Sequence, residues 1–301
     1  MKTTLFAAAL LMVAPHATLA QDRVTLGWGR MFDNDAFGDF HDRWHTGSYT
    51  ISRMRGTDWR GTLPTGFGDL TEFRMRAETI APADLVSPDP ADRRYVGALT
   101  FGLHTHMDLR GIETALGADL VVTGPQTGIG NFQSWVHQAL GLPEPSLGGQ
   151  LGDAVYPTVN AEFGRSFDLG TAIALRPFVA GQAGVETYLR AGGDITIGSF
   201  GQGSLLLRDE TTGQRYRAIE GNRVNALSFT LGGDVAHVFS SEFLPEGGAA
   251  VLNDTRTRLR AGMQWQGERA SAFYGVTYLS PEFDGQPEGQ LVGSLNVNLR
   301  F

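Results

Sequence analysis

Cysteine is absent from the 301 residues of this chain, and lysine occurs once, at position 2. The first absence excludes both a disulfide framework and a thiol nucleophile. The second leaves arginine to carry the positive charge, and an overall formal charge of -8 argues against nucleic acid as a partner. Long apolar runs are also missing, since no stretch approaches the ~20 residues a membrane-spanning helix requires. The N-terminus, MKTTLFAAALLMVAPHATLA, has a basic start at Lys2, an apolar centre from Leu5 to Ala14 and small residues at Thr18 and Ala20. This pattern predicts a secretory signal peptide over 1–20 and one mature domain over 21–301; as a membrane anchor, the alternative, the run is too short.

What the mature chain does have is glycine, aromatic residues and short alternating stretches. In QLVGSLNVNLRF, Leu291, Leu295, Val297, Leu299 and Phe301 fall on one face, and Ser294, Asn296, Asn298 and Arg300 on the other. Such alternation suits a transmembrane antiparallel β-barrel, whose strands need only ~9–11 residues with apolar side chains outward. An aromatic last residue after it resembles the C-terminal signal of outer-membrane barrels. A soluble β-sandwich is the alternative. Read with period two, the chain predicts strands near 23–33, 45–55, 69–79, 95–107, 112–123, 155–167, 170–182, 185–198, 224–239, 255–266, 270–279 and 289–301. That is about 12 strands, an even number that leaves both termini in the periplasm. SLLLRD at 204–209 either extends a strand or lies in a long turn.

This topology puts the stretch FDNDAFGDFHDRWHTGSY, from Phe32 to Tyr49, at the extracellular rim, with further outer loops near 80–94, 124–154, 183–184, 240–254 and 280–288. Inward faces are charged: Glu72, Arg74, Arg76 and Glu78 share one, and Arg256, Arg258 and Arg260 another. In a narrow barrel such columns predict a salt-bridged, filled lumen rather than an anion-selective pore. His104 and His106 belong with that filling. The loop 124–154 carries a different period: in GNFQSWVHQALG the residues Phe132, Trp135, Val136, Ala139 and Leu140 recur at helical spacing, with Asn131 as N-cap and Gly141 as stop. Gln133 and His137 share a second face of this short amphipathic helix. Of the rim residues, Asp39, His41, Asp42, Arg43 and His45 are expected to solvate and order the loop, with Asp42 and Arg43 pairing.

FDNDAFGDFHDRWHTGSY, PDPADRRYVGAL, GPQTGIGNFQSWVHQALGLPE with GGQL, and the SPEF before the last strand together resemble the outer-membrane lipid A 3-O-deacylases. The resemblance spans most of the mature chain. It implies a twelve-stranded barrel in the bacterial outer membrane, with Ca²⁺ as cofactor, that removes the acyloxyacyl group from the 3'-position of lipid A. It places the catalytic residues at Asn34, Asp35, Thr46 and His137, with Asp35 and Glu144 on the metal. Gln133 and the arginines Arg93 and Arg94 would meet the substrate; a Lys-Arg pair found in some relatives is not matched here. Partners implied are lipopolysaccharide and the surrounding outer-membrane lipid, with the barrel acting as a monomer.

The chemistry is compatible with this on its own terms. Hard oxygen ligands such as Asp35, Asn34 and Glu144 suit Ca²⁺, and an imidazole such as that of His137 titrates near neutrality and can take a proton from water. Strand parity directs Asp35 and Thr46 toward the lumen and Asn34 the other way. Two rival readings remain open: a non-catalytic channel or structural barrel, and a serine-dependent outer-membrane lipase, for which Ser48 is the nearest candidate nucleophile.

Overall fold

A computed structural model describes residues 22–221 and 225–299. The predicted signal peptide and the terminal Arg300 and Phe301 lie outside the described residues. The strands are β1 (Val24–Asn34), β2 (Trp44–Gly56), β3 (Thr71–Ala81), β4 (Val96–Leu109), β5 (Ile112–Thr123), β6 (Ala154–Gly164), β7 (Phe167–Asp168), β8 (Ile173–Ala183), β9 (Glu186–Ile197), β10 (Leu205–Arg208), β11 (Arg215–Ile219), β12 (Ala226–Ser241), β13 (Thr255–Gln266), β14 (Ala270–Leu279) and β15 (Gln290–Leu299). Twelve of them form one antiparallel wall in the order β6-β5-β4-β3-β2-β1-β15-β14-β13-β12-β9-β8, and β6 pairs with β8 to close the ring. The two-residue β7 only extends the β8 edge. The predicted strands thus correspond one to one with the wall, with ends displaced by at most a few residues.

Alternation explains the wall. Along β13, Arg256, Arg258 and Arg260 are buried, while Leu259, Met263 and Trp265 are exposed to the lipid side. The buried rows are neutralised by ion pairs along one strand and between nearby strands: Arg74 with Glu72 at 2.7 Å and Arg76 with Glu78 at 2.6 Å along β3, Arg258 with Asp234 at 2.9 Å between β13 and β12, and Arg256 with Glu186 at 3.0 Å between β13 and β9. His104 and His106 join them, each 2.8 Å from a carboxylate, of Asp119 and Glu72 respectively. The lumen is therefore filled in the way the charge columns predict.

One filling element departs from the sequence reading. SLLLRD neither extends a wall strand nor lies in an open turn: β10 and β11 pair into a hairpin of their own. This hairpin folds from the periplasmic connection between β9 and β12 back into the bore. Leu205, Leu207, Tyr216, Ala218 and Ile219 pack there against the inward-facing Met31, Met54 and Phe273, so the bore holds an apolar core as well as charges. Gly27 makes room, since a Cβ on it would stand 2.1 Å from the Ala218 carbonyl oxygen. At the hairpin tip Gln214 donates to the Thr277 hydroxyl, and Thr212 lies against Asp33 and Ser294. Beside the plug a cavity of about 840 Å³ remains, lined by His104, His106, Arg74, Arg176 and Arg215 among others.

Candidate active site on the outer wall

The only α-helix among the described residues, α1 (Ile129–Leu140), sits on the extracellular loop between β5 and β6. Its N-cap is Gly128 in the left-handed region, not Asn131, which lies inside the first turn; the preceding 3₁₀ turn Pro125–Thr127 already sets the entry, so no side-chain cap is used. The predicted stop at Gly141 holds: its φ is 68° and its N–H reaches back to the Gln138 carbonyl.

Which surface the helix covers follows from β4. Ala98 and Thr100 line the lumen, so Gly97 points outward, and a Cβ on Gly97 would stand 2.8 Å from Cβ of Ile129. The helix therefore packs on the outside of the barrel wall, at its extracellular end. Tyr95, also of outward parity, donates to Oε1 of Gln133 at 2.7 Å. Leu85, Ala81, Tyr95 and Leu147 form a small apolar cluster beneath. Gln133 and His137 are consequently buried between helix and wall.

His137 is fixed at both nitrogens. Nδ1 lies 2.6 Å from the Pro143 carbonyl oxygen. A carbonyl only accepts, so Nδ1 carries the proton and Nε2 is left for chemistry. Nε2 faces Oδ2 of Asp42 at 3.1 Å. This corrects the expected Asp42–Arg43 pair: Arg43 instead bonds Asp39 at 3.2 Å and Glu288 at 2.8 Å, and stacks on Trp44. Burial raises the Asp42 carboxyl above its usual range, with His137 and the Thr46 hydroxyl opposing the rise.

The first extracellular loop brings the other candidates to the same edge. Asn34 ends β1 opposite Gly47, and its side-chain oxygen accepts from the N–H of Ala36, opening the 3₁₀ turn Asp35–Phe37. Asp35 is buried, and its Oδ2 accepts from the Arg43 N–H at 2.8 Å and from Gln290 at 3.5 Å. Burial pushes this carboxyl up to about 8, opposed by the Arg43 N–H and reinforced by the nearby Asp42 and Asp39. Gln290 at the start of β15 clamps the loop, accepting from the His45 N–H at 3.0 Å and donating to the Arg43 carbonyl.

Parity fails at one point, for a physical reason. A bulge between His45 and Gly47 breaks the β2–β3 register. His45 therefore turns into the lumen, 3.3 Å from Glu78 and 3.1 Å from Glu282, while Thr46 serves Asp42. The Thr46 hydroxyl is buried without a well-aligned hydrogen bond.

Asn34, Asp35, Thr46, Gln133 and His137 thus gather where loop one meets α1. The remaining candidates do not. Arg93 is buried and bonded to Glu282 at 2.6 Å. Arg94 is exposed beside Tyr95, and the Glu144 carboxylate is exposed with no ion pair or hydrogen bond to the site among the described residues. Sequence reasoning missed Asp42, Tyr95 and Gln290. The first two stand inside the stretches that carried the resemblance, and Gln290 looked like an ordinary strand residue.

A closed antiparallel barrel with an apolar outer face and a charged, plugged lumen is the architecture of an outer-membrane protein. The profile of the outer membrane protein LpxR family matches residues 5–301, and the chain belongs to that family. The structure of LpxR from Salmonella typhimurium superposes with a TM-score of 0.76 at 15% identity, covering 91% of this chain and 100% of that one. The β domain of the Bordetella autotransporter BrkA (TM-score 0.41, 11% identity, 91% and 99% covered) and the NanC porin (0.42, 6%, 91% and 100%) align more loosely. No curated protein sequence matches the chain.

Proposed function

We propose that this barrel hydrolyses an acyl ester of lipid A, the 3'-linked acyloxyacyl group, with His137 as the base that activates water. The observation that carries the reading is the burial of a polar histidine face, Gln133 and His137, against the outer side of the wall at its extracellular end. A transport site would face the lumen. Family membership supports the same substrate, lipopolysaccharide of the membrane in which the protein resides.

The proton path is short. With Nδ1–H held by Pro143, a water entering beside Asp42 finds Nε2 as its acceptor, and the Asp42 carboxylate stabilises the imidazolium that forms. The water oxygen adds to the ester carbonyl, and the imidazolium returns its proton to the departing alkoxide. Gln133, held by Tyr95, would orient the water or the ester. Arg94 is the exposed arginine left to meet a lipid A phosphate, because Arg93 is already paired.

Calcium fits the donor chemistry of this edge. Asp35 is a buried carboxylate crowded by two further acids, Asp42 and Asp39, and the Thr46 hydroxyl is buried without a good partner. Such an oxygen-only set suits a hard cation. No cluster of three or more His, Asp or Glu side chains is assembled for a metal among the described residues, so Asp35, Asp42 and Thr46 would share the ion with water and substrate. When bound, Ca²⁺ would polarise the ester carbonyl.

The serine alternative loses its nucleophile: the Ser48 hydroxyl is buried and donates to Asp33 at 2.9 Å. The deciding experiment is mass spectrometry of lipid A from cells expressing the chain. Loss of an acyloxyacyl mass is expected, and an unchanged profile in calcium-replete medium would refute the reading.

A further inference from the structure

We infer that α1 is a membrane-interface anchor whose Phe132, Trp135 and Leu140 insert among the acyl chains of the surrounding outer leaflet. The inference rests on the placement of the helix and holds whether or not the catalytic reading does.

A helix laid on a soluble protein turns its apolar side inward. Here the order is reversed. Gln133 and His137 face the wall, whereas Phe132, Trp135 and Leu140 are 61%, 62% and 68% exposed. No described residue covers that stripe. At 100° per residue, Asn131 and Gln138 fall together on a third edge, away from both the wall and Phe132. The helix thus has three sides: one against the barrel, one apolar, one polar. Because Gly97 fixes α1 to the lipid-facing side of β4, the apolar side continues the belt formed by outward-facing residues of the same wall, Phe101, Leu120 and Val155, all exposed. That continuity selects lipid as the occupant.

The residue types agree. Phe132 and Trp135 stand with ring centroids 5.9 Å apart, and a tryptophan-phenylalanine pair on one helix face beside a polar edge is the composition of interfacial helices. Leu142, just beyond the helix, is exposed as well and lengthens the patch past Gly141.

The chain has no cysteine, so single cysteines can be introduced and spin-labelled without removing any. Phe132→Cys, Trp135→Cys and Gln138→Cys would be reconstituted in vesicles of phosphatidylcholine and phosphatidylglycerol. Collision rates with oxygen, which concentrates in the acyl region, and with a water-soluble nickel chelate would then be compared. The oxygen-to-nickel ratio is expected to be at least severalfold higher at positions 132 and 135 than at 138. Equal ratios at 135 and 138 would overturn the proposal. So would loss of both collision rates with dipolar broadening at 135, which would mean that a second copy covers the face. Should a label impair folding, the unlabelled chain answers the same question. Trp135 emission, taken as the difference from Trp135→Phe, should be quenched by brominated acyl chains, and its survival would refute the insertion.

Discussion

Replacing His137 by asparagine separates a chemical role from a structural one by magnitude. The imidazole holds α1 to the loop through the Pro143 carbonyl at 2.6 Å and Asp42 at 3.1 Å. A neutral hydrogen bond contributes about 1 kcal/mol and one to a charged group about 1.5–3 kcal/mol, while the difference in helix propensity is a few tenths. Asparagine retains part of that polar contact, so undocking alone would cost on the order of 1–2 kcal/mol, or at most roughly thirtyfold in a population-limited rate at 1.36 kcal/mol per factor of ten. Loss of a general base removes typically 10²–10⁴-fold, about 3–5 kcal/mol. The assay is turnover on detergent-dispersed lipid A, followed by mass spectrometry, with heat-modifiable migration on a gel confirming a closed barrel. The expected result is a loss well beyond thirtyfold with migration unchanged, and partial recovery of His137→Ala by added imidazole. Turnover within tenfold of the parent would reduce α1 to a lid and send the search for the base elsewhere, to His41 on the same loop.

Three further outcomes follow from the same geometry. A calcium chelator should abolish turnover and added Ca²⁺ restore it; full activity in excess chelator would refute the cation's part. Without a cation, Asp35 holds its proton up to about pH 8 in the fold but ionises near 3.8 in the unfolded chain, so thermal stability should fall as pH rises through that window and level off above it. Asp35→Asn in chelator should lose that slope, and an identical slope in both proteins would refute the burial argument. In the lumen, Asp234 is fully buried and takes bonds from Arg258, Arg260 and Arg190; Asp234→Asn leaves Arg258 and Arg190 without a carboxylate, Arg260 keeping Asp194, and should destabilise by about 3–5 kcal/mol in denaturant titration, whereas a change under 1 kcal/mol would mean that water already screens them.

The wall was legible because its signal is redundant. Every one of the twelve strands repeats the same period, so errors of one or two residues at the ends do not change the count. The plug was not legible for the same reason: Leu205 and Leu207 alternate with Leu206 and Arg208 as a wall strand would, and only the tertiary structure places them in the bore rather than facing lipid. Parity does not reach Asp35, which stands in a 3₁₀ turn beyond the end of β1, and it failed for Thr46, since a bulge adds a residue without leaving a mark in composition. The Asp42–His137 contact joins two loops ninety-five positions apart, and its acid stood among four other charged or titratable neighbours that looked equally suitable.

That failure at Asp42 also explains why the site sits where it does. Inside the bore, each added charge must be matched by another, as the Arg–Glu and Arg–Asp pairs show, and a base locked into such pairs has little freedom to exchange a proton. At the outer rim, His137 has one carbonyl and one half-exposed carboxylate as partners, which fixes its ring yet leaves Asp42 in reach of water. Inverting the helix, with its polar face to the wall and its apolar face exposed, would give both conditions at once. For the hydrolysis we propose, the wall would supply the dry, ordered side that a proton acceptor needs, and an inserted apolar face would keep that acceptor at the depth where an acyl ester meets its head group.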